Sequence, residues 1–187
     1  MITLRDEKEK VLAMIEELNE KSEFLTDDPD IQAKINHVFN QVMFELARHK
    51  KIPMYVEMPV VAGMKVTFKE IGAACGREVY QLDKVAGVAY EQKAGGTVLK
   101  FAGDGTAEIE CFVYPQPITD ETSDDYEFEL SQDVLEIMPY GVAADLLKSD
   151  ESADYGKVYA ARYDSMLQRL DPRYSMGSIT FEGGVEI

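Results

Sequence analysis

Side chains able to do covalent or metal chemistry are few in this chain and poorly spaced for it. Cys75 and Cys111 stand far apart in sequence, with no neighbouring histidine or second thiol, so they match neither a zinc-ligand set nor a redox pair. Ala107, Ile109, Cys111 and Val113 alternate with Glu108 and Glu110, which predicts a strand and makes Cys111 a small buried hydrophobe rather than a nucleophile. His37 falls off the apolar stripe of its predicted helix, and His49 sits in the last turn, where it complements the helix dipole. Gly95-Gly96 and Gly103-Asp104-Gly105 lack the helix that follows a phosphate-binding loop, so they read as hairpin turns. No Gly-x-Ser-x-Gly elbow and no His-Glu-x-x-His occurs. From Asp120 to Glu136 the chain carries eight carboxylates and no basic residue. Their spacing lacks the alternation and central glycine of a calcium loop, so they read as a solvated linker. A glycosidase needs a carboxylate pair, usually beside aromatic platforms, and this chain has no tryptophan to single one out. These residues predict no catalytic group, no metal, no cofactor and no enzyme.

The elements that must position everything else change character twice along the chain. From about Thr3 to Ser22, Leu4, Val11, Ile15 and Leu18 share one side of a predicted helix, and Arg5, Glu7, Lys8, Glu9, Lys10 and Glu17 stay largely in water. Asp28-Pro29 starts a second helix, the aspartate as cap and the proline in the first turn. Ile31, Ile35, Val38, Phe39, Val42, Met43 and Leu46 form its stripe, closed by Arg48-His49-Lys50-Lys51. At Ile52-Pro53 the period becomes alternating, with Met54, Val56, Met58 and Val60 on one face. Strands are then predicted at Met64–Phe68, Glu78–Leu82, Val85–Tyr90 and Thr97–Phe101 before the strand that holds Cys111, and glycine turns between them suggest a small antiparallel sandwich. Tyr114-Pro115-Gln116-Pro117 ends the last strand, because proline cannot donate to the ladder.

Helices return at Ser131. Proline at 139 forbids one continuous helix but suits the first turn of a new one, so a short helix capped by Ser131 is followed by another from Pro139. Gly141, Ala143 and Ala144 keep that helix slim. Tyr155, Tyr159 and Tyr163, with Met166, Leu167 and Leu170, recur at three- and four-residue spacing and form one aromatic face on the next helix. The two should pack as a hairpin, ridge into groove. Asp171-Pro172 stops the last helix. The glycine-punctuated tail that follows carries Ile179, Phe181, Val185 and Ile187; it reads either as a disordered terminus or as an apolar arm that adds to a sheet edge of its own or a neighbouring subunit.

The chain has 187 residues, enough to bury a core of about 70% of the unfolded surface without disulfide staples. The reading is α+β: a helical framework from N- and C-terminal helices, residues 1–51 and 130–172, an inserted antiparallel β-sandwich, 52–129, and a C-terminal arm, 173–187. Net charge is −16, from 35 acidic and 19 basic side chains. That field repels polyanions and anionic membranes, which argues against a nucleic-acid reader and a membrane partner. No stretch approaches the ~20 apolar residues of a membrane span, and the charged N-terminus is unlike a signal peptide.

The second half resembles the head-tail adaptor, or connector, proteins of tailed bacteriophages and prophages, which sit in the neck below the portal ring. The likeness rests on Val113-Tyr-Pro-Gln-Pro-Ile-Thr119, Tyr126-Glu-Phe-Glu-Leu130, Met138-Pro-Tyr-Gly-Val-Ala-Ala-Asp-Leu-Leu147, and Tyr159-Ala-Ala-Arg-Tyr163 with Leu167. The N-terminal half carries no matching motif. What the resemblance implies is a helical framework with an inserted β-domain, a ring homo-oligomer that meets a portal or tail-completion protein, and a C-terminal arm that grips a neighbour. It also implies assembly in the bacterial host cytoplasm and residence in the virion neck. The competing expectation is a carbohydrate- or peptide-binding β-sandwich on a helical stalk.

Overall fold

The computed structural model describes residues 2–15, 29–149 and 153–170. In chain order the elements are α1 (Leu4–Met14), α2 (Pro29–His49), β1 (Ile52–Val60), β2 (Lys65–Thr67), α3 (Phe68–Cys75), β3 (Val79–Ala86), β4 (Tyr90–Lys93), β5 (Val98–Phe101), β6 (Gly105–Val113), α4 (Gln132–Leu135), α5 (Met138–Leu146) and α6 (Ala153–Leu170). The fold is α+β. Helices open and close the chain, and antiparallel strands lie between them. The remainder of the helix expected up to Ser22, the Asp28 cap and the whole 173–187 arm lie outside the described residues.

Local chemistry satisfies the orphan amides of α1 and α3, whereas Ser131, the expected cap of α4, stands at the N-cap position without a side-chain capping hydrogen bond. Thr3 caps α1: its Oγ1 accepts from Asp6 N at 3.2 Å while Asp6 Oδ2 accepts from Thr3 N at 2.8 Å, a reciprocal capping box. The next two amides are satisfied from far away in sequence. Leu4 N donates to the Tyr126 carbonyl at 2.9 Å and Arg5 N to that of Asp124 at 3.0 Å. On α2, Ile35, Val38, Phe39, Val42, Met43 and Leu46 are all buried, as the periodicity requires, and His37 is exposed. The helix is interrupted between α4 and α5, and Pro139 falls in the first turn of α5.

Burial divides the side chains between two cores. The helical core holds Leu4, Val11 and Leu12 of α1, the α2 stripe, Val134 to Val142 of α4 and α5, and Tyr163 of α6. Tyr114, Ile118 and Leu130 join it as well. The acidic crossing from 114 to 130 is therefore fastened to the helices, whereas the sequence reading placed it with the strands up to residue 129. Asn40 on α2 does much of the fastening, because its side chain donates to the Ile118 carbonyl and accepts from Ile118 N, both at 2.7 Å. The carboxylates of the crossing stay mostly at the surface, and the backbone is held.

The second core joins Val56, Val60, Val66, Ile71, Val79, Leu99, Phe101, Ala107, Ile109, Cys111 and Val113. Two three-stranded antiparallel sheets contribute to it, ordered β1-β6-β3 and β2-β5-β4. Register puts Ile52 opposite Val113, so the chain leaves the helical body and returns to it at one place. The sheets are antiparallel, as expected, and α3 shares their core through Ile71. β2 ends at Thr67 and Phe68 begins α3, because Thr67 and Glu70 form a capping box in which Glu70 Oε2 accepts from Thr67 N at 2.7 Å. The strands expected at 78–82 and 85–90 prove to be one bulged strand, β3, a turn at Gly87, and the start of β4. Gly95 and Gly96, with φ of +67° and +91°, make the β4–β5 turn expected of them.

Among the described residues one charge, expected from the sequence to face water, is buried in the helical core. Glu7 on α1 has no exposed surface; Lys10 Nζ lies 2.6 Å from its Oε1, and its Oε2 meets no donor among the described residues. Desolvation raises its pKa, with Lys10 acting in the opposite direction. A carboxyl raised in the folded state adds stability that is complete below its unfolded pKa and is lost as pH rises through the folded value. At neutral pH Glu7 is thus a net burden. Glu7→Gln should stabilise the protein by about 1 kcal/mol at pH 7, and the gain should shrink toward pH 4. Urea midpoints across that range check the sign; a gain that grows on acidification would contradict it.

Candidate functional site

The residues expected to pack the helical hairpin do come together, with one exception. Gly141 on α5 faces the ring of Tyr163 on α6 and the side chain of Val42 on α2. A methyl placed on Gly141 would lie 2.8 and 2.9 Å from Cε2 and Cδ2 of Tyr163 and 3.0 Å from Cγ1 of Val42. Those distances leave no room for a Cβ. The Tyr163 hydroxyl donates to Glu45 Oε2 on α2 at 2.9 Å, and burial together with Glu45 pushes its pKa far above the ordinary phenol range. Three helices are thus locked by one side chain. Tyr159 adds a fourth, donating from its hydroxyl to the Met14 carbonyl at the end of α1 at 2.7 Å, with its ring 6.4 Å from that of Tyr140. Ala143 is buried and Ala144 half-buried.

Tyr155 is the exception. It is 69% exposed and lies outside the hairpin contact, because the buried face of α6 runs through Gly156, Tyr159 and Tyr163. Sequence reasoning missed Gly156. A Cβ there would stand 3.2 Å from Leu147 Cβ and 3.4 Å from the Ala144 carbonyl, so α6 crosses the end of α5 at close range. A glycine inside a helical pattern next to the tyrosines was the available signal.

A second cluster joins the two cores. Tyr114, at the exit of β6, stacks between Phe44 of α2 and Tyr80 of β3, with ring centroids 5.0 and 4.6 Å away. Arg48 lies over the Tyr114 ring and donates to its hydroxyl from Nη2 and from Nε, the latter at 2.7 Å. The Tyr80 hydroxyl donates to the Ala47 carbonyl at 2.8 Å. Arg77, at the turn before β3, pairs with Glu129 of the crossing. This seam joins α2 to the start of β3 and the exit of β6. Beside it runs an open groove of about 760 Å³ whose lining includes Phe44, Phe68, Arg77, Tyr114, Pro115 and Pro117.

Groups with chemical potential remain scattered. Both cysteines are free thiols. They pack on the same β core, where burial pushes the Cys111 thiol up to about 11, opposite to the shift of a reactive cysteine. Among the described residues no three His, Cys, Asp or Glu side chains converge on a point that could hold a metal ion, and no helix is long and apolar enough to cross a membrane. Ile179, Phe181, Val185 and Ile187 lie outside the described residues.

The Gly141 contact gives an expectation opposite to helix propensity. In an open helix Gly→Ala stabilises by up to about 1 kcal/mol. Here Gly141→Ala should destabilise by about 1–3 kcal/mol through overpacking, lowering the thermal midpoint by roughly 2–4 °C per kcal/mol. A midpoint equal to or above that of the parent would mean that α6 does not sit on α5 as described.

No protein-family model matches this chain, and no curated protein matches it either.

Proposed function

We propose that this protein is a non-enzymatic assembly component of a phage or prophage particle, a head-tail connector that docks beneath the portal ring and helps to form the DNA channel. One observation supports the reading most: helices from both ends of the described chain share a single core, Tyr159 donating to Met14 and Tyr163 to Glu45, while the strands form an excursion that departs and returns at Ile52 and Val113. A rigid body with a projecting domain suits a ring subunit, which needs one surface for its neighbours and another for the channel or the next ring. A net charge of −16 keeps passing DNA from adhering to the wall. The protein assembles in the bacterial host cytoplasm and ends in the virion neck, with a portal or tail-completion protein as partner.

A second reading, a peptide-binding module, has one observation in its favour. The groove beside Tyr114, lined by aromatic rings and two prolines, has the volume of a ligand site. Its position at the junction of the two cores sets it apart from the β-domain site expected of a sugar binder.

Mixing the purified protein with portal rings tests the first reading. Light scattering should show a stoichiometric complex larger than the portal, with a ring of added density by electron microscopy. A protein that stays monomeric and never joins any portal ring, including that of its own genomic neighbourhood, would overturn it.

A further inference from the structure

Two surfaces outside the hairpin and the seam carry features that intramolecular packing leaves unexplained. The first is the outer face of α6. Tyr155, Val158, Arg162, Ser165 and Arg169 follow one another at intervals of three and four residues and so form one stripe. Tyr155 and Val158 are 69% and 64% exposed. Arg162 stacks on the Tyr140 ring, and neither it nor Arg169 meets a carboxylate among the described residues. In a chain with 35 acidic side chains, two arginines without acid partners on one helix face are conspicuous.

The second surface is the outward face of the β1-β6-β3 sheet. Tyr55, Glu57, Glu108 and Glu110 all point away from the core. Glu57 stands directly opposite Glu108, and Tyr55 opposite Glu110. Like charges opposed across a strand pair destabilise a sheet. Tyr55, 51% exposed, donates to Glu57 at 2.9 Å and relieves part of that repulsion. Beside it Tyr55, Asp83, Glu110 and Phe112 line a shallow depression of about 240 Å³. Lys51 lies over the Phe112 ring and Lys84 stands opposite Glu110, so these two lysines offset part of the charge of Glu57, Asp83, Glu108 and Glu110; the face stays acidic in balance, and the exposed Tyr55 ring beside Glu110 can still take a guanidinium group by pairing and stacking.

We propose that the α6 stripe of one copy of this chain docks on the outward β1-β6-β3 face of a second copy, Arg162 or Arg169 entering the hollow beside Glu110 and Tyr155 and Val158 covering the adjoining sheet surface. The argument for a second copy is charge complementarity: both halves of the contact are present on one chain, one cationic and one anionic. Joining two different patches makes the contact heterologous, the kind that closes rings. The inference rests on the ring reading above and specifies where neighbours touch.

Paired charge reversal tests it. Arg162→Glu with Arg169→Glu makes both patches acidic; Glu108→Lys with Glu110→Lys makes both basic. All four changes lie on the described exterior, and matching circular dichroism and urea midpoints verify folding. The parent should self-associate in sedimentation velocity, alone or on a portal ring. Each variant by itself should associate about a hundredfold more weakly or worse, since like charges then face each other across the contact. An equimolar mixture should regain association, with the two variants alternating. Hydrogen exchange should also slow at 155–169 and 105–113 of the parent as its concentration rises. Variants that associate like the parent would overturn this contact and leave the ring reading standing. A mixture that stays dissociated while the parent assembles would overturn it equally. A parent that neither self-associates nor joins a portal removes both readings.

Discussion

The structure depends on a single steric fit, the Tyr163 ring seated against the bare backbone of Gly141. Everything on the helical side converges there. The ring touches α5, its hydroxyl reaches Glu45 on α2, and the next tyrosine up the helix reaches the end of α1. These contacts bridge sequence separations of 118 and 145 residues. Long-range closures of this kind carry a loop entropy that grows only slowly with length, so a whole β-domain can be accommodated between the partners. The helical body is discontinuous in sequence and continuous in space.

That continuity makes the seam necessary. A domain inserted at one point, between Ile52 and Val113, would swing on two adjacent strands unless something held its angle. Phe44, Tyr80 and Tyr114 supply a stacked wedge, with Arg48 over the middle ring, and Arg77 ties the β3 turn to the crossing through Glu129. Aromatic pairs of this geometry contribute about 0.5–1.5 kcal/mol each beyond their burial. The projecting domain is thereby held at a defined angle, as a ring subunit requires if its neighbours are to meet it in register.

Much of this was legible in the residues because long periodic signals survive any context. The α2 stripe from Ile35 to Leu46, the proline break before α5 and the alternation of β6 stand as read. Shorter signals gave way to local chemistry. Met64–Phe68 looks like a strand, yet Thr67 and Glu70 cap a helix at its last residue, and that spacing was visible in the sequence. Tyr155 shares the spacing of Tyr159 and Tyr163 but lies just past the edge of the buried arc, a distinction set by where Gly156 lets α6 cross α5. The crossing looked like a linker because its side chains are acidic. Its fastening is by backbone groups to Asn40 and to the first amides of α1, which no composition reveals. Of the surfaces argued to meet partners, neither the stripe nor the sheet face was legible, since each combines residues whose juxtaposition only the register supplies.

Native-state hydrogen exchange on a Val142→Ala variant addresses the central claim most directly, that the terminal helices form one cooperative body. Val142 lies fully buried on α5, and its truncation removes apolar contact from that helix alone in sequence. If α1, α2, α5 and α6 open together, the slowest amides of all four lose protection by the same free energy, α1 and α2 included. Loss confined to α5 and α6, with α1 and α2 retaining their full protection, would contradict the account.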